Sequence, residues 1–124
     1  MMNLTVEKRQ LDDDVTIIEL NGRVAVGEAS RRIEPEVVAS INQGAKMVVI
    51  DLSGVSYIDS TGVGIMAYCF GKAVRNGANL RIAGAQENVL NVFKVTRLVT
   101  VVPFYPDLNS ALEGRDRIVY SPPS

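Results

Sequence analysis

The residues best suited to chemistry lie in one short run, Tyr57-Ile58-Asp59-Ser60-Thr61-Gly62-Val63-Gly64. Three short polar side chains stand together, and two glycines follow at alternate positions. Asp, Ser and Thr accept hydrogen bonds from the free N–H groups of a helix's first turn, so the run reads as a helix start capped by Asp59 or Ser60. A phosphoryl group on Ser60 would be well tolerated there. It adds about 1.5–2 negative charges, which the positive end of the helix dipole and the unfilled N–H donors favour. Gly62 and Gly64 cost helix propensity, but they leave the backbone beside Ser60 bare enough for a partner's nucleotide to approach closely. A well-capped helix with glycines for close packing has the same spacing, so spacing alone leaves both readings standing.

Ser60 is not expected to be a hydrolytic nucleophile. Asp59 is a weak base for a hydroxyl, and the chain contains no histidine. That absence excludes Ser-His-Asp and Cys-His catalysis and histidine-containing zinc sites. The single cysteine, Cys69, excludes thiolate zinc sites, iron–sulfur clusters and an intrachain disulfide. No catalytic residue, metal or cofactor is therefore predicted. Cys69 lies in the apolar run Ile65-Met66-Ala67-Tyr68-Cys69-Phe70 and reads as core filling. Thirteen Lys and Arg stand against 14 Asp and Glu, without a basic cluster, which argues against direct nucleic-acid binding. No apolar stretch approaches the roughly 18–20 residues that span a bilayer, so no membrane insertion is expected. The N-terminus lacks the apolar segment of a signal peptide, and the expected compartment is the cytoplasm.

The elements that must position the run follow from periodicity. Leu4–Glu7 and Val15–Leu20 alternate around Asp12-Asp13-Asp14, which predicts an opening hairpin whose second strand ends at Asn21-Gly22. A helix is expected from near Glu34, with Pro35 in its first turn and Val37 and Ile41 inward. Met47–Leu52 is a nearly continuous apolar strand, followed by a loop from Ser53 to the helix start at Ser60. The helix after Ser60 should bury Val63, Met66, Ala67, Phe70 and Val74. Leu80–Gly84 reads as a strand and Glu87–Lys94 as a helix with Val89, Leu90 and Phe93 inward. Val99–Val102 reads as a last strand and Asp107–Leu112 as a closing helix with Leu108, Ala111 and Leu112 inward. This order predicts one α/β domain over residues 1–119 with a tail at 120–124. Its sheet is mixed and mostly parallel, with four to five strands and about four helices.

On this order of elements, Val55–Gly64 resembles the phosphorylation loop of the STAS-domain anti-sigma factor antagonists, whose pattern is Asp-Ser-Ser/Thr-Gly-Leu-Gly after an apolar residue. The Asn21-Gly22-Arg23 turn, the strand at 47–52, Asn76-Gly77-Ala78 and Val92-Phe93-Lys94-Val95-Thr96-Arg97-Leu98 extend the resemblance over almost the whole chain. The resemblance implies a STAS fold and a partner-switching regulator, not an enzyme. Unphosphorylated, such a protein binds an anti-sigma factor that is itself a serine kinase. Phosphorylation of the serine after Asp, here Ser60, breaks the complex, and a PP2C-type phosphatase resets it. Asp59, Thr61, Gly62 and Gly64 would then line the contact, with Arg23, Val24, Ala25 and Glu28 from the preceding connection. Self-association as a weak homodimer is compatible with the sequence.

The chain departs from the family pattern in three places. Gly22-Arg23-Val24-Ala25 replaces the usual Gly-Glu-Leu-Asp, with Glu28 as a nearby substitute carboxylate. Arg97 stands where glycine is usual, and Val63 where leucine is usual. The first departure keeps open a scaffold subunit of a stress-sensing or lipid-transport assembly. A phosphate- or nucleotide-binding protein is the third reading, since helix N-termini bind anions, but the chain lacks the Gly-Lys-Ser/Thr of a P-loop.

Overall fold

The structure, a computed structural model, describes residues 4–25, 27 and 29–119, with the backbone alone described at Ala29 and Ser30. Strands β1 (Thr5–Gln10) and β2 (Val15–Val24) form the expected antiparallel hairpin. Asp12 closes it, its Oδ1 accepting from the backbone N–H of Asp14 at 2.8 Å and of Val15 at 3.0 Å. This side chain-to-backbone turn is the reason an Asp run works there. A π-helical turn (Ala29–Ile33) leads into α1 (Glu34–Asn42), and Pro35 sits in the first turn of α1 as expected. There its missing N–H costs nothing. Then come β3 (Met47–Ile58), α2 (Ser60–Arg75), β4 (Asn79–Ala83), α3 (Glu87–Val95), β5 (Phe104–Tyr105) and α4 (Leu108–Glu113). The sheet order is β1-β2-β3-β4-β5, parallel from β2 onward. The tail expected at 120–124 lies outside the described residues.

Alternation along the strands divides the core. Ile18, Leu20, Val48, Ile50 and Leu52 meet Val37 of α1, Val63 and Met66 of α2, and Val89 and Phe93 of α3 in the main core. Val49 and Ala83 point the other way and pack with Tyr105 and Ala111. Phe93 and Phe104 meet edge to face, ring centroids 4.7 Å apart. This geometry adds to the area both rings bury.

Four expectations are corrected. First, β2 runs through Asn21-Gly22 to Val24, with irregular register around those residues. Second, β3 continues to Ile58 instead of becoming a loop at Ser53. Gly54 makes this continuation workable. A Cβ there would stand 1.8 Å from Asn21 Oδ1, so only glycine lets that side chain lie across the strand. Third, α2 buries Val63, Met66, Cys69 and Ala73, whereas Ala67 and Phe70 are half-buried and Val74 is 54% exposed. Nearly every residue from Val63 to Phe70 is apolar, so periodicity had no polar face to fix the rotation. Fourth, Val99–Val102 is not a strand. A short 3₁₀ helix (Leu98–Thr100) occupies it, with Val99 and Val102 buried and Thr100 and Val101 exposed. That three-residue spacing belongs to a 3₁₀ turn, and the last strand follows Pro103.

On α3 and α4 the innermost of the expected residues are Val89, Phe93 and Ala111, while Leu90, Leu108 and Leu112 are half-buried at the rim. Arg97, where the family pattern has glycine, adopts φ 64°, the left-handed region that favours glycine. Cys69 is fully buried, as expected of core filling, and burial together with the nearby Glu34 carboxylate pushes its thiol up to about 12. It stays protonated and unreactive in the folded chain.

Candidate functional site at the carboxyl ends of β2 and β3

Parallel pairing brings the ends of β2 and β3 side by side, with Arg23 opposite Tyr57 and Val24 opposite Ile58. The backbone N–H of Asp59 donates to the Val24 carbonyl at 3.2 Å, the last link before the chain leaves the sheet. Asp59 then caps α2. Its backbone is extended, its Oδ1 accepts from the N–H of Gly62 at 2.8 Å, and its carbonyl accepts from Val63 at 3.0 Å. Ser60 is the first residue of the helix, and Ser60 and Thr61 are both exposed. A helix has no carbonyl to offer its first N–H groups, so the amides of Ser60 and Thr61 point out of the helix end. The site thus combines an exposed hydroxyl, a fixed turn and a positive dipole end.

The two glycines play opposite parts. Gly62 is buried, and a Cβ on it would stand 2.9 Å from both Ile58 Cγ1 and Val24 Cγ1 and 3.3 Å from the Val24 carbonyl oxygen. Internal packing of α2 against the strand ends therefore accounts for it. Gly64 is exposed with nothing within 4 Å of where a Cβ would be, so it leaves an open surface one turn from Ser60.

Of the residues expected from the preceding connection, Arg23 is exposed, Ala25 is half-buried and Val24 is fully buried in the core. Glu28 lies outside the described residues. The guanidinium of Arg23 stacks over the ring of Tyr57, 4.1 Å from its centroid. Tyr57 is 38% exposed and Tyr68 47% exposed, so neither fills the core. The stack was not readable from the sequence because Arg23 and Tyr57 meet only through the β2–β3 register.

Two polar residues that sequence reasoning missed brace the site from the far side. Beyond Asp51, β3 has outrun β4, whose pairing stops at Ala83. Gln86 Nε2 donates to the Ser53 carbonyl at 3.0 Å, and Asn88 Nδ2 to the Ser56 carbonyl at 2.9 Å. These side chains take the acceptors that a further β4 residue would have used. On the other edge Ser56 Oγ donates to the Gly22 carbonyl at 3.3 Å. An open cleft of about 280 Å³ bordered by Val99, Thr100, Arg117, Ile118 and Val119 includes none of the site residues. No group of three acidic, cysteine or histidine side chains among the described residues is placed to hold a metal ion. No helix among them is long and apolar enough to cross a membrane.

Among known protein families, the profile described as STAS domain matches residues 6–111. The chain is 27% identical over 113 residues to the anti-sigma-B factor antagonist of Bacillus subtilis, covering 91% of this chain and 97% of that one. It is 31% identical over 97 residues to the anti-sigma-B factor antagonist of Staphylococcus epidermidis, covering 78% and 88%. A crystal structure of an anti-sigma factor antagonist from Mycobacterium paratuberculosis superposes with a TM-score of 0.80 at 24% identity, over 90% of this chain and 93% of that one. Family profile, relatives and fold agree, and the chain belongs to the STAS domain family, among relatives that are anti-sigma factor antagonists.

Proposed function

We propose that this protein is a cytoplasmic anti-sigma factor antagonist that switches partners through phosphorylation of Ser60. The observation that carries the proposal is the position of Ser60: exposed, first in α2, immediately after the capping Asp59, at the carboxyl edge shared by two parallel strands. Similarity to the anti-sigma-B factor antagonists over most of both chains supports the same reading. The protein acts as a substrate and ligand. Its partner is a serine kinase that is also an anti-sigma factor, and a PP2C-type phosphatase restores the binding form. Asp59 holds the turn, Thr61 and Gly64 offer exposed surface beside Ser60, and Gly62 keeps α2 seated on the strand ends.

The switch follows from charge. A phosphoryl group places about 1.5–2 negative charges on a surface that packs against the kinase in the unmodified state. Inside this protein the dianion is tolerated, because it meets the dipole and amides of α2. Across a close interface it is desolvated, which weakens the complex tenfold for each ~1.4 kcal/mol of cost.

The test is incubation with serine-kinase anti-sigma factors of the same genome, with ATP and Mg²⁺, followed by intact mass and site mapping. One added phosphate on Ser60, absent from Ser60→Ala, is the expected result. A kinase that binds the unmodified protein but leaves Ser60 untouched would favour a scaffold role instead.

A further inference from the structure

Arg23 has an unusual setting. It is exposed beside the site, its guanidinium rests on the Tyr57 ring, and among the described residues no carboxylate pairs with it. The ring holds one face of the guanidinium, and the N–H donors at its rim have no hydrogen-bond partner among the described residues. A planar cation fixed in this way is arranged to accept a carboxylate in bidentate fashion with little loss of side-chain freedom. Exposed Arg and Tyr are also the residue types that dominate binding energy at protein interfaces. The register places this pair one residue before the Val24–Ile58 pair, and Asp59 and Ser60 come directly after. Among the described residues, neither of the two acidic groups at the starts of α2 and α3 pairs with Arg23. Asp59 is engaged in the α2 cap, and Glu87, exposed in the first turn of α3, belongs to the element that braces the opposite edge of β3.

We infer that the Arg23–Tyr57 pair is the specificity element of this surface and selects a partner that presents a carboxylate opposite Arg23. The inference rests on the partner-switching reading and adds the chemistry of the partner's docking face. It also supplies a second reason for release. Before modification, Arg23 attracts the partner's acidic group. After modification, the phosphate on Ser60 reverses the sign of the local charge and repels that same group.

The experiment measures the affinity of the unphosphorylated protein for the kinase that modifies Ser60, comparing wild type with Arg23→Glu, Arg23→Lys and Tyr57→Ala. Each variant is first checked by thermal unfolding. Arg23→Glu is expected to weaken binding at least about tenfold, because it sets two carboxylates face to face. Arg23→Lys keeps the charge but loses the planar fork, so a loss of only a few fold is expected. Tyr57→Ala, which removes the ring that holds the guanidinium, should fall between the two. Wild-type affinity should fall as salt rises from about 0.05 to 0.3 M, and that of Arg23→Glu should not. One Asp- or Glu-to-Arg exchange on the kinase surface should restore binding to Arg23→Glu. Unchanged binding by Arg23→Glu, or failure of every such exchange, overturns the inference while leaving the role of Ser60 intact. Failure of every kinase to bind the wild-type protein overturns both readings together.

Discussion

Helices α2 and α4 begin in the same way, yet only the start of α2 presents an exposed hydroxyl. Each is capped by an aspartate with extended backbone, Asp59 or Asp107, whose Oδ1 accepts from the N–H three residues on at 2.8 Å. The residues after the cap differ. In α2 the next two are the exposed Ser60 and Thr61, and the third, Gly62, is held tight against two strand ends. In α4 the next residue is the half-buried Leu108, and the third is Ser110, buried with Ala111 against the smaller core. A cap therefore fixes a helix end but does not make it functional. What sets α2 apart is a hydroxyl at its first helical position, on a helix that starts where adjacent parallel strands both finish.

Substitutions can break or sharpen this contrast. The largest expected effect on stability is Gly62→Val, which forces side-chain carbon into the 2.9 Å gaps to Ile58 and Val24. Overpacking of this kind costs about 2–3 kcal/mol, read from urea unfolding. The cap substitution Asp59→Ala should cost about 1 kcal/mol, and Asp107→Ala should likewise lower the melting temperature through the loss of its cap. Only Asp59→Ala should also slow phosphorylation of Ser60, since only it loosens the turn that presents the hydroxyl.

Gly64→Ala should do the opposite of Gly62→Val. Its site is open, so alanine gains about 0.5–1 kcal/mol of helix propensity, and any loss of kinase affinity would mark Gly64 as a contact. The smallest effect concerns pH. Asp107 is held below the ordinary carboxylate range, first by the Ser110 backbone N–H it accepts and then by the Ser110 hydroxyl, with Arg115 adding to this. Its folded value is the lower one, so its stabilisation is present above the unfolded value of about 4 and is lost as pH falls through the folded value. The melting temperature of wild type should therefore drop more than that of Asp107→Asn between about pH 5 and pH 2.

Much of this was legible in the sequence because it is local. The Asp12 turn, Pro35 in the first turn of α1, the Asp59 cap and the polar helix start at Ser60 depend on hydrogen bonds within a few residues, which residue type decides. The apolar run at 47–52 marked a strand buried on both faces, and the hairpin followed by helix crossovers implied a mostly parallel sheet.

Tertiary structure decided the rest, and in each case two distant segments had to meet. The strand β3 outlasts its apolar run because β2 supplies partners as far as Val24 and because Gln86 and Asn88 cover the edge that β4 leaves. The rotation of α2 was chosen by the sheet beneath it, because its stretch from Val63 to Phe70 is almost wholly apolar. Arg23 and Tyr57 stand 34 positions apart in the chain, and only the register of two parallel strands stacks one on the other beside Ser60. Short-range hydrogen bonding is written in residue type, whereas register and helix rotation are set by which pairings bury the most surface and leave the fewest polar groups unmet.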